Sequence, residues 1–429
     1  MNTTITSSKE RFLESFSSNL IHGKARIQAS ENLKLLDFPT TRNENWKYTR
    51  VAPILKHDYR VLNSAVSKEI DVNNFKIGGL TANVLVFVNG FFVPEKSLVL
   101  SSEKDLIITN IANARENYSH VFDSYFAGLA DDKNEIFTAI NTAYSEDGTF
   151  IFVPDNTTVA LPTHLIYLTQ GDSVISQPRN VIVSGKSSSA KVIITYETID
   201  SNRAFTNAVS EVWVKENAHL EIDKVQYEND TTSHISTEQV HQQANSNFTI
   251  NTVTLNGGLV RNNLNIELDA TNCESNLYGL YLLKGNQHVD NHTLVDHKKP
   301  HCNSNELYKG IMDGESTAVF NGKVFVRPDA QKTNAFQSNS NILLSDDASI
   351  NSKPELEIYA DDVKCSHGST TGQMDKDAIF YLRARGVGED SARNMLMYAF
   401  ASDVIDNIKV LPLQEKINSF LDKKFNSFF

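Results

Sequence analysis

Cys365-Ser366-His367-Gly368 places a thiol and an imidazole two residues apart, just after the strand-like Leu356-Glu357-Ile358-Tyr359 and the acidic pair Asp361-Asp362. In a β-strand the side chains at i and i+2 leave on one face, so Cys365 and His367 could reach a single ion. A thiolate with a neutral imidazole suits zinc, copper or iron–sulfur chemistry. The plainer reading is a buried free cysteine beside a turn histidine. A second set of possible ligands is His288, His292, His297, His301 and Cys302. Its spacing is not that of a zinc finger, and in a β context His288 and His292 need not face each other. Polar turn and interface histidines are the favoured reading there. The pairs Asp346-Asp347 and Asp361-Asp362 could suggest glycosidic acid–base work, but neighbours in a strand point to opposite faces. Trp46-Lys47-Tyr48 reads as structural. No phosphate-binding loop, dinucleotide fingerprint or nucleophile elbow is present.

Three stretches would have to position these residues. Residues 1–145 read as a mostly helical domain with one small hairpin. Phe12, Leu13, Phe16 and Leu20 share a face over 8–22, an amphipathic helix of about four turns. Apolar runs at 84–88 and 91–93 flank Asn89-Gly90, a strong hairpin signal. Helical spacing returns over 103–144, with Ile136, Ala139, Ile140 and Ala143 in one stripe, and Asp147-Gly148 reads as a closing turn.

Over 146–370 the period changes to two. Leu220 and Ile222 alternate with Glu221 and Asp223, and Leu264, Ile266 and Leu268 with Asn265 and Glu267. Strands are expected near residues 150, 165, 181, 192, 211, 221, 250, 266, 279, 320, 343 and 357. A sandwich, a large barrel and a parallel β-helix all satisfy this pattern. The length and the Asn/Ser/Thr-rich turns favour the β-helix, whose stacked turns form polar ladders. Residues 371–429 are helical again. Asp375 or Asp377 caps a helix that stops at Gly386. Glu389-Asp390-Ser391 opens a second helix with Ala392, Met395, Leu396 and Ala399 as its stripe, and Leu411-Pro412 separates a third bearing Leu413, Ile417, Phe420 and Leu421. These helices would cap the open edge of the β stack or offer a docking surface.

The 429 residues carry 40 Lys+Arg against 52 Asp+Glu, a net charge of −12. That argues against a general nucleic-acid binder and against attraction to anionic lipid. No apolar run approaches the ~18 residues of a membrane helix, and Met1-Asn2-Thr3-Thr4-Ile5 lacks signal-peptide character. The expected setting is the cytoplasm. Three cysteines, Cys273, Cys302 and Cys365, exclude a disulfide framework. The unusual count is asparagine, 43 in all with 22 between 201 and 351, which points to many tight turns or polar ladders.

The run Lys353-Pro354-Glu355-Leu356-Glu357-Ile358-Tyr359-Ala360-Asp361-Asp362-Val363-Lys364-Cys365-Ser366-His367-Gly368 resembles the signature of the SufB/SufD family of the SUF iron–sulfur assembly machinery. Its Asp-Asp-Val-Lys-Cys-Ser-His-Gly form resembles the SufD branch. Further similarities are Val289-Asp290-Asn291-His292-Thr293, Tyr308-Lys309-Gly310, Val319-Phe320-Asn321-Gly322 and Ala330-Gln331-Lys332-Thr333-Asn334. Phe380-Tyr381-Leu382-Arg383-Ala384-Arg385-Gly386-Val387 and Glu44-Asn45-Trp46-Lys47-Tyr48-Thr49 match as well. Where family members commonly read Ala-Thr-Val-Gly, this chain has Ser369-Thr370-Thr371-Gly372.

The resemblance implies a mainly β fold, a right-handed parallel β-helix core flanked by N-terminal and C-terminal helical domains. It also implies a non-catalytic scaffold that pairs with SufB through the β-helix edge near 355–368 and docks the ATPase SufC through the C-terminal helices. ATP and Mg would sit on that partner only. Iron or a nascent Fe–S cluster would be held transiently at the SufB–SufD interface. His367 matches the family histidine proposed as an iron or cluster ligand, and Cys365 beside it is the weaker candidate. A cluster normally takes four ligands, so a lone Cys and His call for completion by another subunit. With no CxxC, the chain is a poor principal sulfur-handling scaffold. Two competing expectations are a carbohydrate-active β-helix enzyme, which would be secreted and carry a cleft of carboxylates and aromatics, and a homodimer working alone through the same β-helix edge.

Overall fold

The computed structural model describes residues 8–16, 23–62, 64, 70–199 and 203–428. Short helices α1 (Ser8–Leu13), α2 (Lys24–Leu35) and α3 (Ala52–Leu55) open the chain, followed by β1 (Arg60–Val61). The expected long first helix is only α1: residues 14–16 turn away from it, and 17–22, with Leu20, lie outside the described residues. Phe12 and Phe16 are buried all the same, packed on Phe38, Tyr59, Tyr144 and Phe205. β2 (Asn83–Val88) and β3 (Phe91–Phe92) form the hairpin, with Phe87 opposite Phe92. Its turn residues Asn89 and Gly90 have φ of 53° and 87°, the left-handed pair a two-residue hairpin turn requires. β4 (Ile107–Asn110) interrupts the helical stretch expected over 103–144. It precedes α4 (Ile111–Asn117), α5 (Ser119–Phe122) and α6 (Ile136–Tyr144), whose Ile136, Ala139, Ile140 and Ala143 are all buried.

The core continues through β5 (Gly148–Val153), β6 (Thr163–Gln170), β7 (Val174–Ser176), β8 (Arg179–Ser184), β9 (Ser189–Ile199), β10 (Ala204–Val214), β11 (His219–Tyr227) and β12 (Thr232–Gln242). It ends with β13 (Asn247–Asn256), β14 (Leu259–Leu268), β15 (Glu274–Leu283), β16 (His288–His297), β17 (Asn303–Met312), β18 (Thr317–Val326), β19 (Asn334–Leu343), β20 (Ser349–Ile358) and β21 (Lys364–Gln373). Even-numbered strands from β8 to β20 stack in parallel as one sheet and odd-numbered strands from β9 to β21 as another. This is a β-solenoid of about eight turns. Strands from within 1–145 join both sheets: β2 pairs with β6 in parallel and β4 with β5 antiparallel, so the stack starts before residue 146. Gly148 opens β5 and is not a turn residue. It lies so close to the neighbouring strand that a Cβ would stand 1.7 Å from the Arg179 carbonyl oxygen.

All twelve expected strand positions fall in strands. The unexpected ones, among them β12, β16 and β17, are polar because the interior tolerates polar side chains that pair between rungs. Lys224 donates to Glu238 at 2.9 Å and Asn262 at 3.1 Å, all three buried. The asparagine excess is used in two ways. Asn156, Ser187, Asn217, Asn245, Asn272, His301 and Lys332 take φ between 53° and 63° at the same corner of successive turns. The amide of each donates to a carbonyl one turn further on, and asparagine tolerates this backbone best after glycine. Other asparagines, such as Asn180, Asn251, Asn262 and Asn339, are buried in the polar interior. Cys273 and Cys302 are buried one residue after this corner. There Ser188, Ser246 and Thr333 return hydrogen bonds to the carbonyls three residues back, as Cys273 does at 3.2 Å. Tyr308-Lys309-Gly310 also has a packing meaning. Tyr308 lies over Gly279 and Tyr281 over Gly310, each ring occupying the space where the facing glycine lacks a side chain.

The C-terminal helices are α7 (Lys376–Ala384), α8 (Glu389–Ile405) and α9 (Leu411–Phe425). Asp375 caps α7, accepting from the amides of Asp377 and Ala378. The buried face of α8 is Ala392, Met397, Ala401, Val404 and Ile405; Met395 and Ala399, expected inside, are exposed. With Leu413, Ile417, Leu421 and Phe425 of α9, this face covers Val253, Leu280, Leu282 and Ile311 on the outer side of the odd-numbered sheet. The helices therefore flank the solenoid and do not cap its end.

Candidate functional site

The solenoid's last turn is open. Among the described residues, β21 pairs only with β19 and β20 only with β18. In β21, Cys365 stands in register with Ala335 and His367 with Gln337. Ala335 and Gln337 are buried inward-facing residues of β19, so Cys365 and His367 share the inward face of a rung with nothing stacked above it. This agrees with the i, i+2 expectation. Cys365 is half-buried against Val326, Ala335 and Ala360, and burial pushes its thiol up, with the Ala335 backbone opposing. His367 is exposed and makes no hydrogen bond or ion pair with any described residue. Beneath its register partner, Gln337 donates to Glu306 at 2.8 Å and Thr293 to the same carboxyl at 2.6 Å. Burial pushes Glu306 up to about 7, against those two donors. Across the opening, Ser369 donates to Ser352 at 2.8 Å.

The two free edges differ. β20 carries Pro354, which cannot donate a ladder hydrogen bond, and charged Lys353, Glu355 and Glu357. Lys353 bridges Glu44 at 2.8 Å and Glu355 at 3.1 Å, and Lys323 holds Glu357 at 2.6 Å. Proline and charge are the features that discourage edge pairing. β21, KCSHGSTTGQ, has no proline, and Lys364 is its one formally charged residue. It is the edge able to accept another strand. Phe336 and Tyr359, 48% and 59% exposed, stand near this end.

The second ligand set does not assemble. His288 bonds Thr49 at 2.8 Å and Thr317 at 2.6 Å, and His292 meets Asp290 at 3.0 Å. His297 is buried on Ser304 at 2.9 Å, His301 is an exposed corner residue, and Cys302 is buried in the column described above. Among the described residues no group of three or more His, Cys, Asp or Glu is set to hold a metal ion. The acidic pairs lie in turns, with Asp362 held by Lys332.

Sequence spacing gave no sign of the seat of the N-terminal region. The Arg261 guanidinium lies 3.8 Å from the Trp46 ring centroid and donates to Asp290 at 2.6 Å, while Thr49 donates to the same carboxylate. Burial disfavours the Asp290 charge, but Arg261 and His292 hold that carboxyl below its ordinary range. Only the pairing of residues far apart in sequence could have shown it.

Residues 167–400 match the family described as SUF system FeS cluster assembly, SufBD core domain, and residues 4–165 match the SufBD protein N-terminal region. An iron-sulfur cluster assembly SufBD family protein of Synechocystis is 33% identical over 419 residues, covering 95% of this chain and 92% of that protein. Iron-sulfur cluster assembly protein SufD of Escherichia coli is 30% identical, covering 92% of each chain. SufD of Bacillus subtilis is 26% identical, covering 93% of each.

Proposed function

The chain belongs to the SufBD family of iron–sulfur cluster assembly proteins, and from that premise we propose that it is a scaffold subunit whose open solenoid end completes an iron or cluster site with a SufB-type partner. The observation that carries this reading is the pairing of an unengaged inward-facing imidazole, His367, with an unguarded edge strand. The imidazole offers ring nitrogens that no described residue engages, and imidazole is a common ligand for iron and other transition metals. Cys365 is a weaker donor, because partial burial makes its thiol resist ionisation until a cation compensates for it. Two donors do not hold a cluster, so the remaining ligands come from the partner, to which the cluster is cargo. ATP hydrolysis belongs to a SufC-type subunit. The inner faces of α8 and α9 are already committed to the solenoid, which leaves α7 for docking, where Phe380 and Tyr381 are 74% and 54% exposed.

The test is co-expression with SufB- and SufC-type partners. His367→Ala should leave the fold and the complex intact while reducing maturation of an Fe–S reporter enzyme at least tenfold. Full maturation in that variant would remove His367 from the site. Phe380→Ala with Tyr381→Ala should release the ATPase and leave the SufB-type partner bound. Retained ATPase would place its docking surface elsewhere.

A further inference from the structure

Away from the open end, the seam between α9 and the solenoid forms a half-open pocket of about 710 Å³. Lys284 lines it from the corner after β15, and Lys423 and Lys424 line it from the last turns of α9. None of the three ammonium groups has a carboxylate within ion-pair distance among the described residues, and Asp230 is the one acid in the lining. In a chain with a net charge of −12, three convergent unpaired lysines create a local field opposite to that of the whole.

Lys424 is held in place, while Lys423 is exposed and Lys284 half-buried. Lys424 donates to the side-chain oxygens of Asn256 and Gln287, each at 3.2 Å, and Gln287 in turn donates to Asn256 at 2.5 Å. These neutral oxygens orient the ammonium without neutralising it. Burial brings Lys424 down to about 8, with Asp230 opposing and Lys284 adding to the fall. Tyr227 and Phe420, stacked with centroids 4.3 Å apart, form the apolar wall.

We propose that this seam binds a small phosphate-bearing anion. The volume falls in the range of small-molecule sites, roughly 300–1,000 Å³. Compact ammonium charges suit phosphate oxygens as point charges, and three of them match the multiple charge of a phosphate better than a single carboxylate. A bound anion would join α9 to the corner at 284–287. A free phosphate oligoanion and the phosphate tail of a nucleotide share this chemistry.

Calorimetric titration of the full chain with tripolyphosphate and with ATP, both without magnesium, tests the proposal. Lys284→Gln with Lys423→Gln should weaken tripolyphosphate at least tenfold, and Lys409→Gln, an exposed lysine elsewhere, should not. Tighter ATP binding would assign the site to a nucleotide, and equal or weaker binding to the free oligoanion. Acylation of Lys424 by an activated ester should slow at least tenfold with tripolyphosphate present. Unchanged affinity in the double variant, unslowed acylation, or equally tight binding of polyglutamate would overturn the proposal.

Discussion

The two ends of the solenoid use the same strands to opposite effect. At its start, the parallel stack is closed by short antiparallel strands, β3 and β4, and flanked by α4 and α5, which pack on Phe150, Val181 and Val183. Every residue of β2 and β8 is buried. At its finish, two ten-residue strands stand unpaired on one side, and almost every residue of β21 is exposed. The first end is a closure of the kind that protects sheet edges. The second leaves a row of backbone donors and acceptors, with an imidazole at its inner face. The closed start and the open finish, where the proposed function would sit, thus lie at opposite ends of one axis.

The largest expected effect breaks the closed end. Arg179 and Glu211 pair at 2.6 Å with both side chains wholly buried, and Glu211 also accepts the amides of Ala127, Leu129 and Ala130. Arg179→Ala leaves that carboxylate without its cation and should cost about 3–5 kcal/mol in denaturant unfolding. A loss under about 1 kcal/mol would mean that the pair does not organise the closed end.

A second effect depends on pH. Burial raises Glu306 from its ordinary 4.5 to about 7, and it raises Asp223 and Glu146 to about 7 and about 8. A raised carboxyl keeps its proton in the folded chain, so stability is full at pH 4.5 and falls as pH climbs through about 7. Glu306→Gln should flatten that fall by up to about 3 kcal/mol between pH 4.5 and 7. An unchanged slope would show that Glu306 ionises freely inside the solenoid.

Smaller effects contrast two glycines. A Cβ at Gly310 would sit 2.2 Å from the Tyr281 ring, while one at Gly368 meets nothing within 4 Å. Gly310→Ala should destabilise by about 1–3 kcal/mol through overpacking. Gly368→Ala should stay within about 0.5 kcal/mol. Similar losses at both positions would erase the distinction between packed interior and bare end.

Much of this contrast was legible in the sequence. Asn89-Gly90 gave the hairpin, the period of two gave the apolar strands, and Cys365 and His367 gave one face of one strand. The polar strands β16 and β17 escaped notice because Asp290, Thr293 and Glu306 meet their partners only after the chain has coiled. Alternation of polarity does not reveal a pairing between rungs. The helices at 376–425 were visible as helices, but their seat was not. The stripe of α8 was assigned to Met395 and Ala399, and the residues that meet Leu280 and Ile311 are Met397, Ala401 and Val404. The openness of the last turn follows from that misplaced cover.

The central claim is that the bare end, and β21 in particular, is where a partner chain adds its strand. Hydrogen exchange of the backbone amides, compared between the isolated chain and its complex with a SufB-type partner, tests it most directly. Exchange in 364–373 should slow at least tenfold in the complex, with no change at 83–92 or 107–110. A stable complex in which 364–373 exchanges as fast as in the isolated chain would contradict it.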